Sequence, residues 1–257
     1  MQTKNPFNKK RYFEYVFVAA LLFGVSIAQA ACDDPPGPKV NWKGCDKAGI
    51  DLSGVDLRGA VLDSINLEGA NLSKANLSDG YLGRANLRKA NLSGSKLIDA
   101  YLVAADLSEA NLTKTLAKGA TFDRAKLVKA NLNDAFLEES GFYDAKLTGA
   151  SLVKANLNKA KMSQVDLTEA NLTSTSLKEA ILSRANLEDA NLSGANLEKA
   201  KLDYTSMINT NLSGSNLNRA TLAEAEMINT DVSGATLDYT TWNDRSRCRS
   251  GSVGECR

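Results

Sequence analysis

The sequence predicts an all-β fold, a parallel solenoid wound in steps of five residues, on three observations. An apolar residue returns at every fifth position from Leu52 to Trp242 with no insertion or deletion. No proline occurs between Ile50 and Trp242, as expected of backbone whose N–H groups are all needed in a ladder. The outward-facing positions repeat with a longer period of 20 residues.

The first element, 1–30, has the pattern of a secretory signal. Lys4, Lys9, Lys10 and Arg11 make a basic start, Val16–Ile27 is an apolar run too short to span a membrane, and Ala28-Gln29-Ala30 offers small residues for cleavage. Export to the periplasm or the extracellular space follows, or to the thylakoid lumen in a photosynthetic source, with no membrane span after the signal is removed. The second element, 31–49, is an N-terminal cap holding Cys32 and Cys45. Lipidation of Cys32 is the rival reading, and Gln29, standing where a lipoprotein box carries an apolar residue, argues against it.

The third element, 50–242, is the repeat itself. Of its 39 inward positions 31 are Leu, and Ala fills 25 of the 39 slots two residues earlier. A helix cannot use this pattern, because five residues turn it by about 500° and successive leucines would wander over every face. A flat strand cannot either, since five is odd and alternate leucines would point to opposite sides. Within one repeat, however, Ala and Leu two apart share a side, so a chain that bends once per repeat keeps both inward. Taking every fourth repeat together sorts the outward residues. One set, just before the Leu, reads Asp51, Asn71, Asn91, Asn111, Asn131, Ser151, Asn171, Asn191, Asn211, Asp231. Four repeats therefore close one coil, and the coil has four sides.

Tandem Ala-Asn-Leu-x-x, as in Ala70-Asn71-Leu72-Ser73-Lys74 and Ala195-Asn196-Leu197-Glu198-Lys199, resembles the pentapeptide-repeat family. The resemblance covers residues 50–242 and implies a right-handed quadrilateral parallel β-helix. With nearly ten coils about 4.8 Å apart, the rod is roughly 47 Å long. Its ends lie too far apart for a disulfide, whose Cα atoms come within about 7 Å. That leaves Cys32–Cys45 at one end and, in the fourth element, the C-terminal cap 243–257, Cys248–Cys256.

For function, the sequence argues against catalysis. It has no histidine, no Gly-rich phosphate loop and no cysteine left outside the two pairs, so neither catalytic residues nor a metal or cofactor is expected. DNA mimicry, known in the quinolone-resistance members of the family, demands acidity. Residues 50–242 carry 24 acidic and 20 basic side chains, against on the order of 27 charges on an equal length of duplex. No nucleic-acid partner is expected. What remains is a scaffold or protein-interaction rod, or alternatively an inhibitor presenting a shaped surface to a specific protein. The candidate interaction face is the set of repeats centred on Leu62, Leu82 and Leu102, where Val61, Tyr81, Tyr101 and Ile181 replace the usual Asn and are joined by Val103, Tyr143 and Tyr204. Its partner is a second protein or a second copy of the chain, since tyrosine is enriched at such contacts.

Overall fold

A computed structural model describes residues 32–257; the signal reading at 1–30 lies outside the described residues. The backbone is a coiled ladder of parallel bridges, each joining residues 20 apart, from Asn41↔Val61 to Thr221↔Thr241. Four repeats make one coil and stack into four columns. The first is centred on Leu52 and Leu72, the second on Leu57 and Leu77, the third on Leu62 and Leu82, and the fourth on Leu67 and Leu87.

One repeat shows why the period is five. In Ala70–Lys74, the Ala70 N–H donates to the Leu67 carbonyl at 3.0 Å and closes a turn, and Asn71 N–H donates to Ile50 in the coil below at 2.9 Å. Leu72 and Lys74 N–H donate to Asn91 and Ser93 in the coil above at 2.7 and 2.9 Å. The fifth N–H, on Ser73, faces neither coil and is taken by the side-chain oxygen of Asn71 at 3.2 Å. Asn or Asp before the Leu is therefore a backbone cap, the role such short side chains play in turns generally. All five donors are satisfied, which is the condition for stacking irregular-looking backbone into a solid rod.

The turn has a second demand. Its third residue, two after the inward one, sits at positive φ throughout, as at Lys74 (58°) and Gly54 (69°), the geometry of a type II turn. Inside, Leu and Ala are buried in one continuous core with Phe122 stacked on Phe142, ring centroids 4.9 Å apart. Thr in an Ala slot is kept inside by bonding the carbonyl of an inward residue, as Thr175 does to Leu152 at 2.7 Å.

The ladder begins two repeats before the run of leucines. Trp42 and Lys47 occupy inward slots within the expected 31–49 cap, and Asn41 and Asp46 already bridge to the next coil. The leucine criterion passed over them because neither is Leu. Cys32 is bonded to Cys45 and Cys248 to Cys256. At the far end the tail turns back, and Val253 and Arg247 pair antiparallel with Thr236 and Thr241. Among the described residues no helix is long and apolar enough to cross a membrane.

Candidate interaction face

The third column differs from the others because its cap residues have been replaced. Without Asn before the inward residue, the N–H just after it needs another acceptor. Gly83 N–H finds Asp63 Oδ1 at 3.1 Å and Tyr143 N–H finds Asp123 Oδ1 at 2.9 Å, each from the coil below. Ala223 N–H uses Asp203 in the same way, at 3.1 Å. The device recurs in other columns at Val153, Lys178 and Asp238, served by Asn133, Asn158 and Asn218. In all six cases the residue before the inward one (Tyr81, Gly141, Thr221, Ser151, Ser176, Thr236) is neither Asn nor Asp. An Asx one coil down thus releases the outward slot above it for another use.

Tyr81 uses that freedom; Tyr101 on the next coil does not, since Gly83 lies below Val103 and offers no side-chain acceptor. The two tyrosine rings stack nearly parallel at 5.6 Å, and they are 48% and 52% exposed. Val61 and Val103, half-buried, belong to the same stretch of the column. Tyr143 stands further along, 44% exposed, with its hydroxyl 3.2 Å from Gln164 Oε1. Ile181 is half-buried between Lys161 and Lys201, to which it bridges. Tyr204 is 55% exposed at a turn position with φ 61°. Non-glycine residues fill that left-handed position in most repeats, Tyr239 among them, so the backbone does not single Tyr204 out. The seven residues consequently do not form one patch: a tyrosine step occupies one end of the column, and single aromatics separated by lysines occupy the other.

Between them the surface is indented. A shallow depression of about 320 Å³ lies over Gly141, walled by Thr121, Asp123, Glu139, Tyr143 and Lys161. A second, of about 380 Å³, is lined by Gln164, Ser183, Arg184, Asp203 and Tyr204. Gly141 makes the first notch: a Cβ there would lie 2.9 Å from Asp123 Oδ1, the atom capping Tyr143.

The second column holds a further apolar patch outside the seven residues of the expected face. Phe136 is 51% exposed and bridges to Leu116 in the coil below, with Ile98 38% exposed one coil further down. The signal was present: Leu116 stands one place early, so it points outward and leaves Ala117 inside.

Displaced carboxylate pKa values on the rod are displaced downward. For Asp166 burial pushes up, but bonds from the Thr168 hydroxyl and N–H outweigh it, helped by Thr148 and by Lys146. Asp106 follows the same pattern with Ser108, Arg88 and Lys126. Among the described residues no group of three His, Cys, Asp or Glu could hold a metal ion.

A family model described as pentapeptide repeats matches eight copies over residues 50–88, 85–122, 105–142, 140–179, 180–219 and 205–238. Among solved structures, the chain is similar to HetL, a pentapeptide repeat protein involved in heterocyst differentiation regulation from the cyanobacterium Nostoc sp. strain PCC 7120. The two are 30% identical over 85% of this chain and 95% of that one, with a TM-score of 0.77. Rfr23, from the cyanobacterium Cyanothece 51142, is 33% identical over 41% of this chain and 62% of that one, with a TM-score of 0.26. No curated protein matches the chain.

Proposed function

The chain belongs to the pentapeptide-repeat family, and on that premise we propose that it is an exported, non-catalytic scaffold or protein-interaction rod. Its coil is right-handed and four-sided in this reading, with the handedness implied by the family and the four sides supported by four bridges per coil. The repeat body 50–242 stands between an N-terminal and a C-terminal cap. Export is supported by the basic-apolar-small pattern of residues 1–30 together with two short-range disulfides, which persist in oxidising compartments.

The observation that carries the binding role is the exposed Tyr81–Tyr101 step, in which Asp63 relieves the Tyr81 slot of its capping duty. A solvated face gains nothing from stacked, half-exposed tyrosines, whereas a partner surface does. The partner is another protein or a second copy. Changing Tyr81, Tyr101 and Tyr143 to Ser is expected to abolish dimerisation or partner capture and leave the β-rich circular dichroism intact. Cross-linked pull-down from a periplasmic or secreted fraction, beside light scattering of the purified chain, reads both. Unchanged mass and an unchanged set of captured proteins would sink the proposal. The notch over Gly141 favours a second reading, an inhibitor that receives a projecting side chain of its target. That reading predicts that filling the notch, with Gly141→Trp, blocks capture while the tyrosine variant does not.

A further inference from the structure

The last coil is only half paired. The returning tail pairs with Thr236 and Thr241, in the second and third columns. In the fourth and first columns the N–H groups of Met227, Asn229, Val232 and Gly234 find no acceptor among the described residues, although the equivalent groups of lower coils all donate upward. Met227 and Val232 are half-buried where Met207 and Leu212 beneath them are fully buried, and Ile228 is 54% exposed. This is an open sheet edge, the kind of template on which another chain adds a strand.

The acids of the ladder are distributed accordingly. The slot before the inward residue is acidic at seven places, and five of them, Asp46, Asp51, Asp56, Glu226 and Asp231, lie in the first or last coil. At the C-terminal end Glu226 and Asp231 stand on the two columns the tail does not pair with, although Gly254 comes close to the Val232–Gly234 backbone, while the paired columns carry Thr236 and Thr241. In the first column Asp51 and Asp231 close a run that is otherwise Asn and Ser.

Backbone capping does not require the acids. Asp51 caps Ser53 N–H at 3.0 Å as Asn71 caps Ser73 at 3.2 Å, so Asn would serve equally. What distinguishes them is the other end of the side chain. Along the column Asn71 donates its amide to Asp51, Asn91 to Asn71 and Asn111 to Asn91, at 3.0 to 3.3 Å. An Asn at position 51 would have an amide left to extend the ladder beyond the rod; a carboxylate only accepts. Bonds from Ser53 and Ser233 hold Asp51 and Asp231 below the usual carboxylate range, so both are ionised at neutral pH.

We propose that the open half-coil fits the end of a second copy of this chain, and that the acids at both ends hold that copy off. Whichever ends approach, carboxylate meets carboxylate across one rung, and like charges directly opposite are destabilising. The rods stay separate end to end, and binding is confined to their flanks.

The test uses the Tyr81→Ser/Tyr101→Ser/Tyr143→Ser background, so that contacts along the flank do not enter the reading. Into it go Asp46→Asn, Asp51→Asn, Glu226→Gln and Asp231→Asn, or, as a control of equal charge, Asp106→Asn, Glu109→Gln, Asp166→Asn and Glu169→Gln. Sedimentation velocity over a concentration series, with negative-stain images, should show the end variant self-associating at least about tenfold more tightly than its parent, as rods joined end to end. The control should sediment as the parent does. An end variant that sediments like its parent overturns the proposal, and so does a control that associates equally, because net charge rather than position would then be responsible. Glu226→Gln/Asp231→Asn alone changes only exposed side chains and keeps the test decisive if four changes disturb folding. Its failure to associate more tightly than the parent counts against the proposal in the same way.

Discussion

The first and third columns turn the same kind of apolar residue inward and show opposite characters outside. In the first, the outward Asn caps the next N–H of its own repeat, and Asn71, Asn91 and Asn111 also bond the coil below, so the slot is committed to the backbone. In the third, Asp63, Asp123 and Asp203 perform the capping from one coil below, and the freed slots hold Tyr81, Gly141 and Thr221. A repeat with no spare position for function obtains one by moving a structural duty 20 residues away. Where such an Asx stands one coil below, the N–H beside the altered slot stays satisfied; where none does, as at Val103, the N–H finds no acceptor among the described residues.

The largest expected effect tests the two interiors. Leu112→Ala in the first column should cost about 2–5 kcal/mol, and Phe122→Ala in the third about 3–5 kcal/mol, since the cavity is larger. Phe122 additionally loses its stacking on Phe142. Denaturant melts would rank them; a Phe122 variant as stable as the Leu112 variant would mean that the third column is loosely packed inside as well as altered outside.

A smaller effect probes the displaced cap. Asp123→Ala removes the acceptor of Tyr143 N–H and should cost about 0.5–1.5 kcal/mol. Gly141→Asn alone should also destabilise, because its Cβ would press on Asp123 Oδ1. Combined, the two remove the clash and give Tyr143 N–H a local cap like those of the first column. A double-mutant cycle should then show the pair more stable than the sum of the singles. Strict additivity would mean that the bond across coils contributes nothing.

The smallest effect separates two neighbouring tyrosines. Tyr81→Asn and Tyr101→Asn break the same ring stack, so their difference isolates the cap. Gly83 N–H is already served by Asp63, whereas Val103 N–H has no acceptor among the described contacts. Tyr101→Asn should therefore be more stable than Tyr81→Asn by roughly 0.5–1.5 kcal/mol, resolvable by differential scanning calorimetry. Equal melting temperatures would imply that water serves Val103 as well as an Asx oxygen does.

The primary structure by itself determined the period, the number of repeats per coil, the inward residues and the neighbours along each column, because a repeat without insertions makes position a matter of counting. Tyr81 lying over Tyr101 follows from that arithmetic, as does the distance that separates the two pairs of cysteines. The start of the ladder escaped the count, since Trp42 and Lys47 fill leucine slots without being leucine, and the Leu116–Phe136 patch escaped because Leu and Phe also fill inward slots, so that only the fold shows these two turned outward on adjacent coils. What only the tertiary structure decided depends on contacts that composition does not signal. These are which Asx reaches across a coil to a bare N–H, where the surface is indented over Gly141, and which half of the last coil the tail pairs with. Each is settled by hydrogen-bond geometry between residues 13 to 21 apart. There a few tenths of an ångström decide whether a polar atom is satisfied, and the five-residue alphabet reads the same on either side of that line.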